Sequence, residues 1–256
     1  MSRRSSALGW LVLLGLLAPI LHSAWVSFSP DSFLTPPTGE WSLRWYRRFA
    51  EDPRWSTAVG RSLLVAAAAA GVSVAAAVPS AYAVKRARWR GRGILLIALL
   101  LPAAIPPAAL GMGILPLLHR AGLWGHPLGL ILVHATLGLP VAFLIVRTHL
   151  TDRLAELEAA ARGLGANGWQ VAQRVSLPLL RPALMAAGVA VFVLSVNEAF
   201  VTLFLATPNT ETVPAVTWPE LRHSPTPVLA VASAMTAGLG AIGMAIGIRL
   251  FGRPAR

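Results

Sequence analysis

The chain has 256 residues, 55% hydrophobic and 12% charged, with a mean hydropathy of +0.64, too apolar for an ordinary soluble domain. Its formal net charge of +12 does not point to nucleic acid, because the basic residues fall in short clusters between apolar runs, where a membrane protein needs them for orientation. With no cysteine there is neither a disulfide framework nor a thiolate metal site.

A spanning helix needs about 20 mostly apolar residues. Six segments qualify, over 7–28, 58–84, 93–118, 127–147, 179–206 and 228–251. The expected fold is therefore an all-α integral membrane protein, one domain over 1–256. Arg3 and Arg4 precede the first segment as in a secretory signal, but His22 sits poorly for cleavage after Ala24 and the run is long enough to span, so a retained anchor is expected. Placing both termini in the cytoplasm puts Arg3, Arg4, the Lys85 to Arg92 cluster, the 148–178 insertion, Arg249, Arg253 and Arg256 inside. Asp31, Glu40, Glu51, Asp52, Glu211 and Glu220 then fall outside, as the positive-inside rule requires. Arg44, Arg47, Arg48, Arg54 and Arg61 run against it. Set among Trp41, Trp45, Tyr46 and Trp55, they suggest an amphipathic segment lying at the membrane interface.

The third segment carries Pro102, Pro106, Pro107 and Pro116 with Gly111 and Gly113. Proline frees carbonyls and bends a spanning helix, so a kinked span is expected, either a gate or a bend demanded by packing. In the fourth, His134 suits helix packing by hydrogen bonding better than metal ligation, since the six histidines show no His-Glu-x-x-His spacing. In the fifth, Glu198 is the only acid inside an expected span, beside Ser195, Asn197 and Thr202. An ionisable group at that depth is a functional candidate; the other reading has it near the outer helix end, hydrated or bonded to another span. The connection 207–227, rich in proline and threonine, holds Trp218, Glu220 and Arg222. It suits either a stiff docking loop or an interface anchor.

Between the fourth and fifth spans lies "ELEAAARGLGANGWQVAQRVSLPLL", residues 156–180. Leu154, Leu157, Ala161 and Leu164 recur at helical spacing, with Asp152, Glu156 and Glu158 near the start, where the helix dipole favours acids. Gly163 and Gly165 supply a stop, Asn167 caps a second helix with Gln170 three residues on, and Pro178 closes the unit. Such a rigid elbow with an apolar stripe needs a protein groove to fill.

Gly165, nine residues, then Val175, Ser176, Leu177 and Pro178 resemble the cytoplasmic loop of the inner-membrane permease subunits of binding-protein-dependent ABC importers. That loop reads Glu-Ala-Ala, three residues, Gly, nine residues, an aliphatic, one residue, Leu-Pro. Counted back from Gly165, the triplet falls on Ala159, Ala160 and Ala161, so alanine stands at the family's glutamate position and Glu158 lies one residue early. "WSLRWYRRF", "LLPAAIPPAALGMGIL", "SVNEAFVTLFL" and "TVPAVTWPELRHSPTPVLAVAS" resemble the spermidine/putrescine branch. The resemblance implies a bacterial inner-membrane permease working without a cofactor of its own. Its implied partners are two ATPase subunits, a second permease that is a paralogue or an identical copy, an external substrate-binding protein and membrane lipid. It also implies that the elbow, with Glu158, Ala159, Ala160, Ala161, Gly165, Trp169, Val175, Leu177 and Pro178, docks into a cleft on the ATPase. Alternating access would then carry a polyamine, or another solute such as iron, phosphonate or thiamine. Glu198 would lie on the translocation path, where the first of the branch's acidic pair is here Asn197.

No phosphate-binding loop is present, because Lys85 is the only lysine and follows Val84; ATP hydrolysis is expected in another chain. "GVSVA" at Gly71 only loosely echoes a nucleophile elbow and has no nearby base. A secondary transporter or a membrane scaffold remains the rival reading.

Overall fold

The computed structural model describes residues 3–86, 90–223 and 225–251; Arg88, Arg253 and Arg256 lie outside them. The first apolar run forms α1 (Arg3–Val26), exposed along most of its length. Next comes α2 (Arg44–Glu51), which buries Trp45 and Phe49. These two stand one turn apart and meet Trp55, Val213, Val216 and Val228. Rather than facing lipid at the interface, the apolar side of this segment is covered by protein, while Arg44 stacks over the Trp45 ring at 4.4 Å.

Asp52 accepts the amide of Arg54 and Pro53 fills the first turn of α3 (Pro53–Lys85). At about 1.5 Å per residue its 33 residues reach about 50 Å, beyond the hydrocarbon core of about 30 Å. Its buried face is mostly small, with Ala66, Ala69, Ala77 and Ala81 closed to solvent, so neighbouring helices approach closely.

The third expected span is two helices, α4 (Arg92–Ala104) and α5 (Pro107–Arg120), meeting at 111°. The cause is local. Ile105 precedes Pro106 and Pro106 precedes Pro107, and a residue before proline is driven out of the helical region; their ψ angles are 130° and 131°. Pro102 and Pro116 stay inside their helices. The kink is thus a joint, and each piece, at about 20 Å, is too short to cross alone.

After α6 (Pro127–His149) come α7 (Asp152–Gly163), the short α8 (Gly168–Val171), a π turn over Ala172–Ser176 and α9 (Leu177–Val196). The last three form one continuous helix, Gly168–Val196, so Pro178 does not end the elbow as expected but sits within a helix. The π turn accommodates it: the Leu177 amide bonds back to the Ala172 carbonyl, widening the ladder just where proline brings no N–H and crowds the carbonyl four residues earlier. The fifth expected span also stops early. Helix ends at Val196, residues 197–199 are irregular, and α10 (Phe200–Leu205) follows.

The connection expected as a polar loop contains α11 (Val213–His223), with Val213, Ala215 and Val216 buried. The chain closes with α12 (Val228–Phe251), on which α1 packs. Among the described residues there is no strand. Among the described residues five helices are long and apolar enough to cross a membrane, and α4 with α5 makes a sixth when the bent pair counts as one.

The core lies where α3, α6 and α9 meet, through Ala70, Ala77, Phe143, Val146, Ala187 and Val191. Ser73 donates to the carbonyl of Ala135 at 2.9 Å. Gly138 admits this contact, since a Cβ there would overlap Val191 and the Ser73 hydroxyl. Gly138→Val is expected to lower stability by about 2 kcal/mol, seen as a lower melting temperature in detergent. Gly113→Ala, at a glycine with nothing within 4 Å, should leave melting unchanged.

Candidate functional site

The elbow forms because its caps are in the sequence. Thr151 accepts the amide of Leu154 at 3.3 Å and starts α7. At the other end the Gly165 amide donates to Arg162 O at 2.9 Å and the Ala166 amide to Ala161 O at 3.0 Å, the paired bonds of a Schellman motif. Gly165 has φ +87°, a conformation open cheaply to glycine alone. Asn167 then accepts the Gln170 amide while its own amide donates to the Gln170 side chain, both at 2.9 Å, a complete capping box.

Of the chain's ten acidic residues only Glu158 is buried, at 3% exposure. Its Oε1 accepts from the Tyr82 hydroxyl at 2.6 Å and from the Ser176 hydroxyl at 2.8 Å. Its Oε2 lies 3.4 Å from Arg86. The same guanidinium donates to Thr151 O at 3.3 Å, so Arg86 holds the first turn of α7 as well. One carboxylate thereby joins α7 to the end of α3 and to the π turn leading into α9. Leu154, one turn earlier, is buried with it, while Val175 packs against the same core.

The opposite face is bare. Leu157, Leu164 (90% exposed), Trp169 (69% exposed) and Leu177 are all exposed large apolar side chains, and Ala159, Ala160 and Pro178 are exposed beside them. The expected single apolar stripe is therefore divided: Leu154 faces inward with Glu158, whereas Leu157 and Leu164 face outward, with Ala161 intermediate. Tyr82, Arg86 and Ser176 are partners that sequence reasoning missed. Tyr82 and Arg86 stand four residues apart at the end of an apolar helix, which puts a hydroxyl and a cation on one face.

The second group of expected residues does not form one site. Ser195 and Thr202 are buried and bracket His134, at 2.7 Å to Nδ1 and 3.0 Å to Nε2, so His134 bridges the break between α9 and α10. Glu198 lies in that break rather than inside a helix, and its Oε1 accepts the Val201 amide at 3.0 Å. Asn197 is exposed and donates to Val193 O. A cavity of about 640 Å³ opens between α1, α9, α11 and α12; Asn197, Ala199, Thr217 and Trp218 are among its lining residues, which include no carboxylate. Among the described residues no group of three or more acids or histidines could hold a metal.

At the other end of α3, Arg54 donates to both oxygens of Glu211 at 3.1 Å and lies 3.7 Å from Glu220. Arg61 donates to Pro208 O at 2.8 Å.

Residues 67–253 match the family of binding-protein-dependent transport system inner membrane components. The chain is 27% identical over 245 residues to the putrescine transport system permease protein PotI of Escherichia coli K12, covering 91% of this chain and 86% of the relative. It is 34% identical over 158 residues to a probable molybdenum ABC transporter permease protein of Haloferax volcanii, 59% of each. Among solved structures, a bacterial alginate ABC transporter in complex with alginate pentasaccharide-bound periplasmic protein superposes with TM-score 0.70 at 13% identity, over 96% of this chain and 92% of that one.

Removing one partner of a buried, hydrogen-bonded ion pair costs about 3 kcal/mol. Glu158→Ala is therefore expected to destabilise by that amount and to speed tryptic cleavage after Arg153 and Arg162. Glu158→Gln, which still accepts from Tyr82, should show a smaller effect in the same digest. Gly165→Val, strained by about 1 to 2 kcal/mol in a left-handed conformation, should loosen the elbow similarly.

Proposed function

The chain belongs to the family of binding-protein-dependent transport system inner membrane components, and from that premise we propose that it is one of two permease subunits of an ABC importer, driven through the elbow at 152–178. It is a transporter component and not the ATPase. The observation that carries the proposal is the elbow's two faces: one locked to α3 and α9 by Glu158, the other an exposed apolar tip of Leu157, Leu164 and Trp169. A tip fixed to the spanning helices passes displacement on; a soft loop would absorb it. The tip fits an apolar cleft on an ATPase subunit, two of which close on ATP.

In this reading the elbow end is cytoplasmic, and the end bearing α2 and α11 receives the substrate-loaded binding protein. ATP-driven closure moves the elbow, α3 and α9 follow, and the path opens outward; hydrolysis resets it. The second permease is a paralogue or another copy of this chain.

For cargo, the reading is a polyamine, supported by the match over 91% of the chain to a putrescine permease protein. An oxyanion such as molybdate is the second reading, favoured by the molybdenum relative and by the lack of a carboxylate along the cavity between α9 and α12.

Leu164→Glu with Trp169→Glu should leave the permease folded, since both side chains are exposed, and abolish co-purification with the ATPase; full assembly by that variant would contradict the docking. Cells lacking the chain should lose uptake of labelled putrescine and keep molybdate uptake; the reverse would move the cargo to the oxyanion. Glu198 is separable by two substitutions. If its charge serves the cargo, Glu198→Gln and Glu198→Ala both fail in uptake. If it serves only as the cap of α10, the glutamine variant transports normally and the alanine variant is impaired.

A further inference from the structure

At the elbow end, away from Glu158, the last residue of α3, the first of α4 and the last turn of α6 bring Lys85, Arg92 and Arg147 around one cavity of about 280 Å³. No carboxylate is among its lining residues. None of these three side chains makes an ion pair or hydrogen bond to the described residues; Arg147 only stacks over Phe143, at 5.9 Å. The N-terminus of α4, which no side chain caps, contributes Arg92 and Gly93 to the wall, adding the positive end of a helix dipole. Gathering three cations beside a low-dielectric medium is unfavourable without a counter-charge. On α4, about 120° around the helix from the face that lines the cavity, Ile94, Ile97 and Leu101 are exposed at helical spacing, an apolar ridge that begins beside the charged mouth and runs toward the middle of the span.

We propose that this cavity binds the phosphate headgroup of an anionic phospholipid, whose acyl chains lie along Ile94, Ile97 and Leu101. Free phosphate would match the cations equally well but would leave the ridge without a role. A lipid satisfies both features at once, and basic pockets between spanning helices are where anionic headgroups settle. The occupant would brace the ends of α3, α4 and α6 against one another, beside the elbow and upstream of the joint between α4 and α5. The inference rests on the chain's lying in a bilayer, which family membership supplies, and not on the cargo or the docking of the ATPase.

Native mass spectrometry of the detergent-solubilised importer, titrated with phosphatidylglycerol or phosphatidylcholine, tests it. Wild-type complex should retain phosphatidylglycerol in preference to phosphatidylcholine. Each cation removed should weaken retention about fivefold, so that the K85Q/R92Q/R147Q variant loses the preference. The R47Q/R48Q/R120Q variant, which removes three charges at exposed side chains elsewhere, should keep it, and excess inorganic phosphate should not displace the lipid. Equal retention of both lipids by the wild type, or undiminished preference in K85Q/R92Q/R147Q, overturns the proposal. Complete displacement by inorganic phosphate overturns the lipid as occupant and assigns the site to a free anion. Should the triple variant fail to assemble, K85Q and R92Q singly, both at exposed side chains, carry the comparison through their fivefold losses.

Discussion

A carboxylate shut away from water in a largely apolar chain must be met on all sides or it unfolds what surrounds it. Glu158 is met by Tyr82 of α3, by Arg86 just past its end and by Ser176 of the π turn leading into α9. Alone, α7 is a helix of 12 residues, short enough to be marginal in water. Tied through Glu158 and through Arg86 to Thr151, it becomes an extension of two spanning helices. The outward placement of Leu164 and Trp169 follows, because fixing one face of a helix and its glycine turn fixes the other.

The two ends of α3 are held differently. At the elbow the ion pair is buried on the glutamate side, so losing either partner is costly. At the far end Arg54 and Glu211 are partly exposed, and such pairs contribute little. The stiff attachment is therefore where force would enter. Backbone that can absorb rotation lies elsewhere, at the 111° joint between α4 and α5 and in the irregular residues 197–199, where His134, Ser195 and Thr202 form a hydrogen-bonded bridge. Hinge positions of this kind let packed helices swing without repacking.

Much of this was legible in the residues. The apolar runs located the long helices, and Asn167, Gln170, Gly163 and Gly165 announced the elbow's caps because capping chemistry is local. What failed was whatever depends on tertiary partners. The proline cluster signalled a bend, yet only two consecutive pre-proline residues, Ile105 and Pro106, turn a kink into a joint. Pro178 looked like a boundary, but a π turn carries the helix through it. Trp45 and Trp55 looked bound for the interface because their partners in α11 and α12 stand more than 150 residues away in the chain. Glu158 was singled out for a contact with another subunit, whereas two internal hydroxyls and the Arg86 cation hold it; alanine at the family's glutamate position, with the acid one residue earlier, turns that carboxylate by about 100° around the helix. The branch motifs named a family more readily than a cargo, since transport specificity does not reside in helix caps and packing.

The central claim is that the elbow and α3 move as one body. Because the chain has no cysteine, one copy of it can carry spin labels at Glu156→Cys, beside the docking tip, and Ser56→Cys, exposed positions at opposite ends of the pair. Their separation should be measured by double electron–electron resonance in the assembled importer, without nucleotide and with ATP bound. A single narrow distance, the same in both states, is the predicted result. A distance that shifts or broadens on ATP binding would mean that the elbow bends on its own, and the coupling would have to run by another route.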